Sequence, residues 1–202
     1  MSTVGIHRVV EQQVTSHPDA VAVIDGDRSL TYSELNWRAN VVARYLMDQG
    51  FRRGSEAVVN VERSLEQAVM LLCVLKAGGA YTCVDVTDRS WPAGVSILED
   101  SGRMEQRWHA MDVRRLASGP APPSPNLPIV TRAGDVACVL RGMHGLPAVL
   151  VPHHTVTALL ERPAPQVSAW TGEEPAALDL WLALMTGATS VVSSEAVVTA
   201  AA

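Results

Sequence analysis

Apolar positions recur along this chain with helix-like and strand-like spacing in turn. Ile6, Val10 and Val14 fall four apart, which predicts a short amphipathic helix. AVAVID at 20–25 predicts a strand, Asp25-Gly26 a turn, and the residues near Leu30 a second short strand. Thr31 and Glu34 have the spacing of a capping box. Leu35, Ala39, Val42 and Leu46 then share one helix face, and Gly50 suits the stop. Residues 57–61 predict a strand, and Ser64 and Gln67 repeat the capping spacing. The run EQAVMLLCVLKA at 66–77 is apolar nearly all round, which predicts a helix buried on every side. Gly78-Gly79 ends it before a strand at 80–85. Strands alternating with helices through short connections predict an α/β fold, a predominantly parallel sheet flanked by helices.

The second half is less regular. SGPAPPSPNLP at 118–128 holds five prolines, so it reads as an exposed connector within a single domain spanning 1–202. VACVL at 136–140 predicts a buried strand, followed by a glycine-containing turn, RGMHGLP. RPAPQVSAWTGEEP reads as irregular, ahead of a helix over 176–185, a stop at Gly187 and a strand at 188–192.

Composition narrows the function. Hydrophobic residues make up 48% and charged residues 18%, enough apolar material for a true core. The formal charge is -5 and no run of Lys and Arg forms a basic stripe, which argues against nucleic acid. Cys73, Cys83 and Cys138 lie far apart in apolar runs and read as buried thiols in a reducing compartment. No apolar stretch has the length of a signal peptide core or membrane span, so a soluble, cytoplasmic protein is expected.

Three segments, in order, resemble the early core motifs of nonribosomal-peptide adenylation domains, in the acyl-adenylate-forming superfamily. LTYSEL (30–35) is similar to the first, and LKAGGAYTCVD (75–85) followed by ILEDSG (97–102) to the second. HPDAVAVI (17–24) looks like the family's usual opening. The third motif of the family is a phosphate-binding loop resembling TSGSTGxPKG, in which amides and hydroxyls wrap the ATP phosphates and a Lys holds the charge. Here the run is LRGMHGLPAVLVPHH at 140–154. Gly142, Gly145 and Pro147 stay in register, whereas Arg141, Met143 and His144 replace Ser, Ser and Thr. Ala148 stands at the Lys, or the Lys is deleted. ALDLWLALMTGATSVV (177–192) is similar to a fourth motif, with Asp179 at a family Glu. Glu174 then falls where amino-acid-activating members keep an Asp for the substrate amine.

The resemblance implies a degenerate phosphate loop at Arg141, Gly142, His144 and Gly145, and a substrate-facing set of Glu174, His153 and His154. Each has a plainer reading. The glycines serve a turn. Adjacent histidines on a helix do not share a face, and Glu173 and Glu174 suit the start of a helix. No metal signature and no cofactor motif is present, and the family's later motifs do not follow within these residues. The expectation is a noncatalytic, adenylation-like protein of specialised-metabolite biosynthesis that acts through protein interaction, with a synthetase component or itself as partner. The alternatives are an enzyme of another reaction type with a remodelled pocket and one half of a split adenylating enzyme. The Trp170, Trp181 and Leu182 side chains are candidates either for an exposed apolar surface or for the core.

Overall fold

The computed structural model describes residues 5–84, 94–98, 104–108, 125–128, 131–140, 148–158, 166–170 and 177–192. Helix α1 (Ile6–Ser16) buries Ile6, Val9 and Val10. Strands β1 (Val21–Asp25) and β2 (Arg28–Thr31) form a hairpin, and Gly26 turns it with φ +58°, a conformation that favours glycine. Helix α2 (Tyr32–Asp48) starts at the expected capping box. The Thr31 hydroxyl accepts from the Glu34 amide at 3.1 Å, and the Glu34 carboxylate accepts from the Thr31 amide at 2.8 Å.

Strand β3 (Glu56–Asn60) leads to α3 (Leu65–Lys76). Only half of the second capping box forms. Ser64 Oγ accepts from the Gln67 amide at 3.2 Å, but the Gln67 side chain donates back to the Val61 carbonyl at 2.8 Å. Gly78 ends α3 at φ +88°, and β4 (Ala80–Cys83) follows. The later elements are β5 (Gly94–Leu98), β6 (Met104–Trp108), β7 (Val136–Leu140), β8 (Val149–Pro152) and α4 (His153–Thr157). Then come β9 (Val167–Trp170), α5 (Leu178–Thr186) and β10 (Thr189–Val192).

The strands divide between two sheets, where the sequence pattern suggests one. The first has the order β2-β1-β10-β9 and the second β6-β5-β3-β4-β7-β8. β1, β10 and β9 run parallel, as do β3, β4 and β7. Antiparallel partners flank these parallel triplets: β2 on one sheet, and β5, β6 and β8 on the other. The α/β class therefore stands, with a mixed rather than uniform strand direction. β9 occupies part of the stretch expected to be irregular: Val167 and Ala169 are exposed on one face, half-buried Ser168 and buried Trp170 lie on the other, and the strand joins β10 in parallel.

Helix α3 contacts β1 and β2 of one sheet and β3 and β4 of the other. Lying between two sheets, it has no solvent face, which explains its all-round apolar sequence. Met70, Leu71, Leu72 and Leu75 are fully buried. Trp170 and Trp181 are buried too, so the core reading of these tryptophans is the one that holds. The Trp181 indole donates to the Tyr81 hydroxyl at 2.5 Å, tying α5 to β4. The Tyr32 hydroxyl donates to the Ala188 carbonyl at 2.7 Å, tying α2 to the end of α5. Cys73 and Cys138 are buried as expected, but Cys83, at the end of β4, is exposed.

One charge lies inside this core. Lys76, the last residue of α3, is 1% exposed and pairs with buried Glu11 of α1, whose other carboxylate oxygen pairs with Arg8. Burial lowers the Lys76 ammonium to about 8, opposed by the Glu11 carboxylate. Around this pair, donors from three helices converge on the end of the proline-rich stretch. Asn36 and Asn40 donate to Asn126 Oδ1 at 2.9 and 3.2 Å, and Lys76 reaches the same atom at 3.4 Å. Arg8 donates to the Leu127 carbonyl at 3.0 Å and Arg44 to that of Pro125. Leu127 is buried, so this part of the expected connector is anchored, although Pro125, Asn126 and Pro128 are exposed. Residues 118–124 lie outside the described residues.

Three variants test this core by chemical denaturation. A Cβ on Gly79 would overlap the Phe51 ring and lie 2.6 Å from the Ser55 carbonyl oxygen, which is backbone and cannot swing aside. Gly79→Ala should destabilise the protein by about 1–3 kcal/mol, the range for overpacking. Lys76→Ala should cost about 3 kcal/mol, the lower end for breaking a buried ion pair, because Arg8 still neutralises Glu11. The double variant Glu11→Leu, Lys76→Met should lose less than the single one, since neither member of the Lys76–Glu11 pair remains and half-buried Arg8 keeps its bond to the Leu127 carbonyl.

Candidate functional site

Parallel strands β3, β4 and β7 end on one edge of the six-stranded sheet, at Asn60, Cys83 and Leu140. In open α/β sheets, ligands gather outside the carboxyl ends of the strands. The pairing of Tyr81 with Cys138 brings Leu140 level with Cys83. Leu140 in turn pairs with Val149 across the β7–β8 ladder. The segment between these two residues therefore begins and ends at this edge. Arg141, Gly142, Met143, His144 and Gly145 belong to it and lie outside the described residues, as do Glu173 and Glu174. Its last residue, Ala148, is exposed.

Thiol and phenol groups near this edge are poor nucleophiles at neutral pH. Burial pushes Cys138 up to about 12 and Tyr81 well above the usual phenol range.

His153 and His154 sit at the other end of the same hairpin. Val136 pairs with Pro152 there, immediately before α4. Val149 and His153 lie four positions apart, about 13 Å at the rise of a strand. The fold thus separates His153 from the residue at which the 141–148 segment leaves the sheet.

The two histidines also differ from one another. His154 is exposed, and its Nδ1 lies 2.9 Å from the Ala133 carbonyl. His153 is fully buried, and its Nδ1 accepts from the Ile6 amide at 3.2 Å. Its ring meets that of His7 edge to face, with centroids 5.9 Å apart. His7 Nε2 lies 3.3 Å from the Thr131 hydroxyl. Burial lowers His153 to about 4 and His7 well below the usual imidazole range. Both rings are therefore neutral at pH 7.

Sequence patterning missed His7, Glu11, Lys76 and Asn126. One signal was available: Lys76 is the sole cation in α3 and follows an unbroken apolar run from Ala68 to Leu75, which demands a buried partner. No group of three or more metal-binding side chains occurs among the described residues. No helix among them is long and apolar enough to cross a membrane.

Residues 10–102 match the family described as AMP-binding enzyme. The chain is 32% identical to malpibaldin synthetase of Mortierella alpina over 178 residues, 77% of this chain. It is 31% identical to a linear gramicidin synthase of Brevibacillus parabrevis over an alignment of 216 residues, 93% of this chain. The chain spans only 3% of the length of either relative. Among solved structures it is similar to the Klebsiella oxytoca NpsA N-terminal subdomain in complex with anthranilyl-AMSN, with a TM-score of 0.72. That match has 23% identity and covers 95% of this chain and 55% of the other. An artificially fused adenylation–PCP di-domain, NpsA-ThdA, gives the same TM-score at 19% identity, over 96% of this chain and 40% of the other. Motifs, family match and fold agree: residues 10–102 match the AMP-binding enzyme family, and the chain is similar to part of a nonribosomal-peptide adenylation domain.

Proposed function

We propose that this chain is a noncatalytic adenylation-like component of nonribosomal-peptide or related biosynthesis and acts through protein contacts. The observation that carries this reading is the composition of residues 141–148, RGMHGLPA. The turn-forming Gly142 and Gly145 remain, but the hydroxyls and the Lys of the family's phosphate loop do not. Losing one preorganised donor of this kind costs about 10²–10³ in rate, and several are replaced together here. Met143 adds an apolar side chain to the same loop.

The scaffold residues, by contrast, are kept. The capping box at Thr31 forms and the LKAGG turn closes. Selection for folding without selection for phosphate binding would leave this combination. A synthetase component is the favoured partner, because the relatives are synthetases. In this reading Arg141, Gly142, His144 and Gly145 form the degenerate phosphate loop and hold no ATP.

The decisive assay is amino-acid-dependent ATP–pyrophosphate exchange by the purified chain, with ATP binding followed in parallel by calorimetry. We expect exchange no higher than in a heat-killed control and no ATP binding heat. Exchange above that control would overturn the noncatalytic reading. Failure of the chain to bind any purified synthetase module from the same cell would overturn the interaction.

A further inference from the structure

Helix α1 begins without a cap of its own. Its N-cap is Gly5, which offers no side chain, so the first-turn amides need an acceptor from elsewhere. His153 supplies one from 147 residues away: its Nδ1 takes the Ile6 N–H. The proton of neutral His153 therefore resides on Nε2, which has no partner among the described residues. His7, one residue into the same helix turn, packs its ring on His153 and has its own Nδ1 without a partner there. Both side chains are almost wholly buried.

We propose that the His7–His153 contact is an acid-sensitive latch, which holds the start of α1 against α4 while both rings are neutral and releases it when either is protonated. A second proton on His153 can enter only at Nδ1. It would replace the acceptor with a donor aimed at the Ile6 N–H. It would also place a positive charge at the positive end of the α1 dipole, a repulsive arrangement.

The surrounding charges favour the neutral state on balance. Lys76 of α3 and Arg8 of α1 oppose a charge on His7, as does His153 itself. Glu11 is occupied by Lys76 and Arg8. Asp135 favours a charge on His153, but its carboxylate is held by a two-pronged pair with Arg53, at 2.7 Å for each bond. Asp179 is the one acidic residue of α5, which packs on both α1 and α4, and His154 points outward from α4.

The sign follows from burial. A released His153 titrates near 6.5 and a latched one near 4, so the latch is intact above about pH 6.5 and weakens as pH falls towards 4. Between pH 7.5 and 5 the opening constant of α1 should rise about 30-fold from His153 alone. Amide hydrogen exchange, corrected for the intrinsic pH effect, reads this directly. We expect α1 amides at pH 5 to exchange while α3 amides remain protected, and His153→Asn to remove the roughly 30-fold share of the rise that His153 contributes, leaving that of His7. The Asn carbonyl can still accept from Ile6 but does not titrate. Exchange of α1 and α3 with one common opening constant, or a wild-type pH response in His153→Asn, would overturn the latch. If that variant does not fold, imidazole NMR titration of the unaltered protein decides the matter. A midpoint for His153 below 5 supports the latch, and one near 6.5 ends it.

Discussion

The placement of α3 between two sheets governs most of this structure. A helix covered on both faces cannot carry an exposed polar stripe, so residues 65–75 must be apolar or small enough to pack, with Gln67 and Glu66 tolerated near the start. It also fixes the distance between the sheets, because side chains from both pack onto the same cylinder. Gly79 follows from this constraint. The chain leaves α3 and must enter β4 beneath the Phe51 ring and beside the Ser55 carbonyl, where no side chain fits.

The same burial explains the polar interior. A cation at the end of α3 has no route to water, so Glu11 must come to it, and α1 is held in place as a result. The asparagines of α2 then share Asn126 with Lys76, and the arginines of α1 and α2 take the adjacent carbonyls. Residues 125–127 are ordered by these donors rather than by any secondary structure of their own. This is how a segment rich in proline, with few amides to offer, can still be fixed to the body of the protein.

The elements with strong local signals were legible in the sequence. The Thr31 capping box, the four-apart face of α2, the all-round apolar α3 and the Gly187 stop, at φ +82°, each carry their instruction within a few residues. The division into two sheets was not legible, because strand pairing depends on contacts far apart in sequence: β1 pairs with β10 at the other end of the described chain. Strand β9 was hidden in a proline-containing stretch, where Trp170 is the one buried side chain of the strand and no period-2 apolar pattern marks it. For the site, the family motifs located the loop after β7. The His7–His153 contact could not be read in advance, since it joins residues 146 positions apart and neither lies in a distinctive local pattern.

The β7–β8 ladder has a further consequence for how this protein can vary. Its last pair, Leu140 with Val149, clamps both ends of the intervening loop, while the first, Val136 with Pro152, sets the start of α4. Hydrogen bonds between strands make the register independent of what happens beyond the final pair. Changing a loop's length by one residue alters its closure entropy only slightly. The loop can therefore gain, lose or exchange residues while β7, β8 and α4 keep their positions, and its chemistry can drift under little restraint from the fold that carries it.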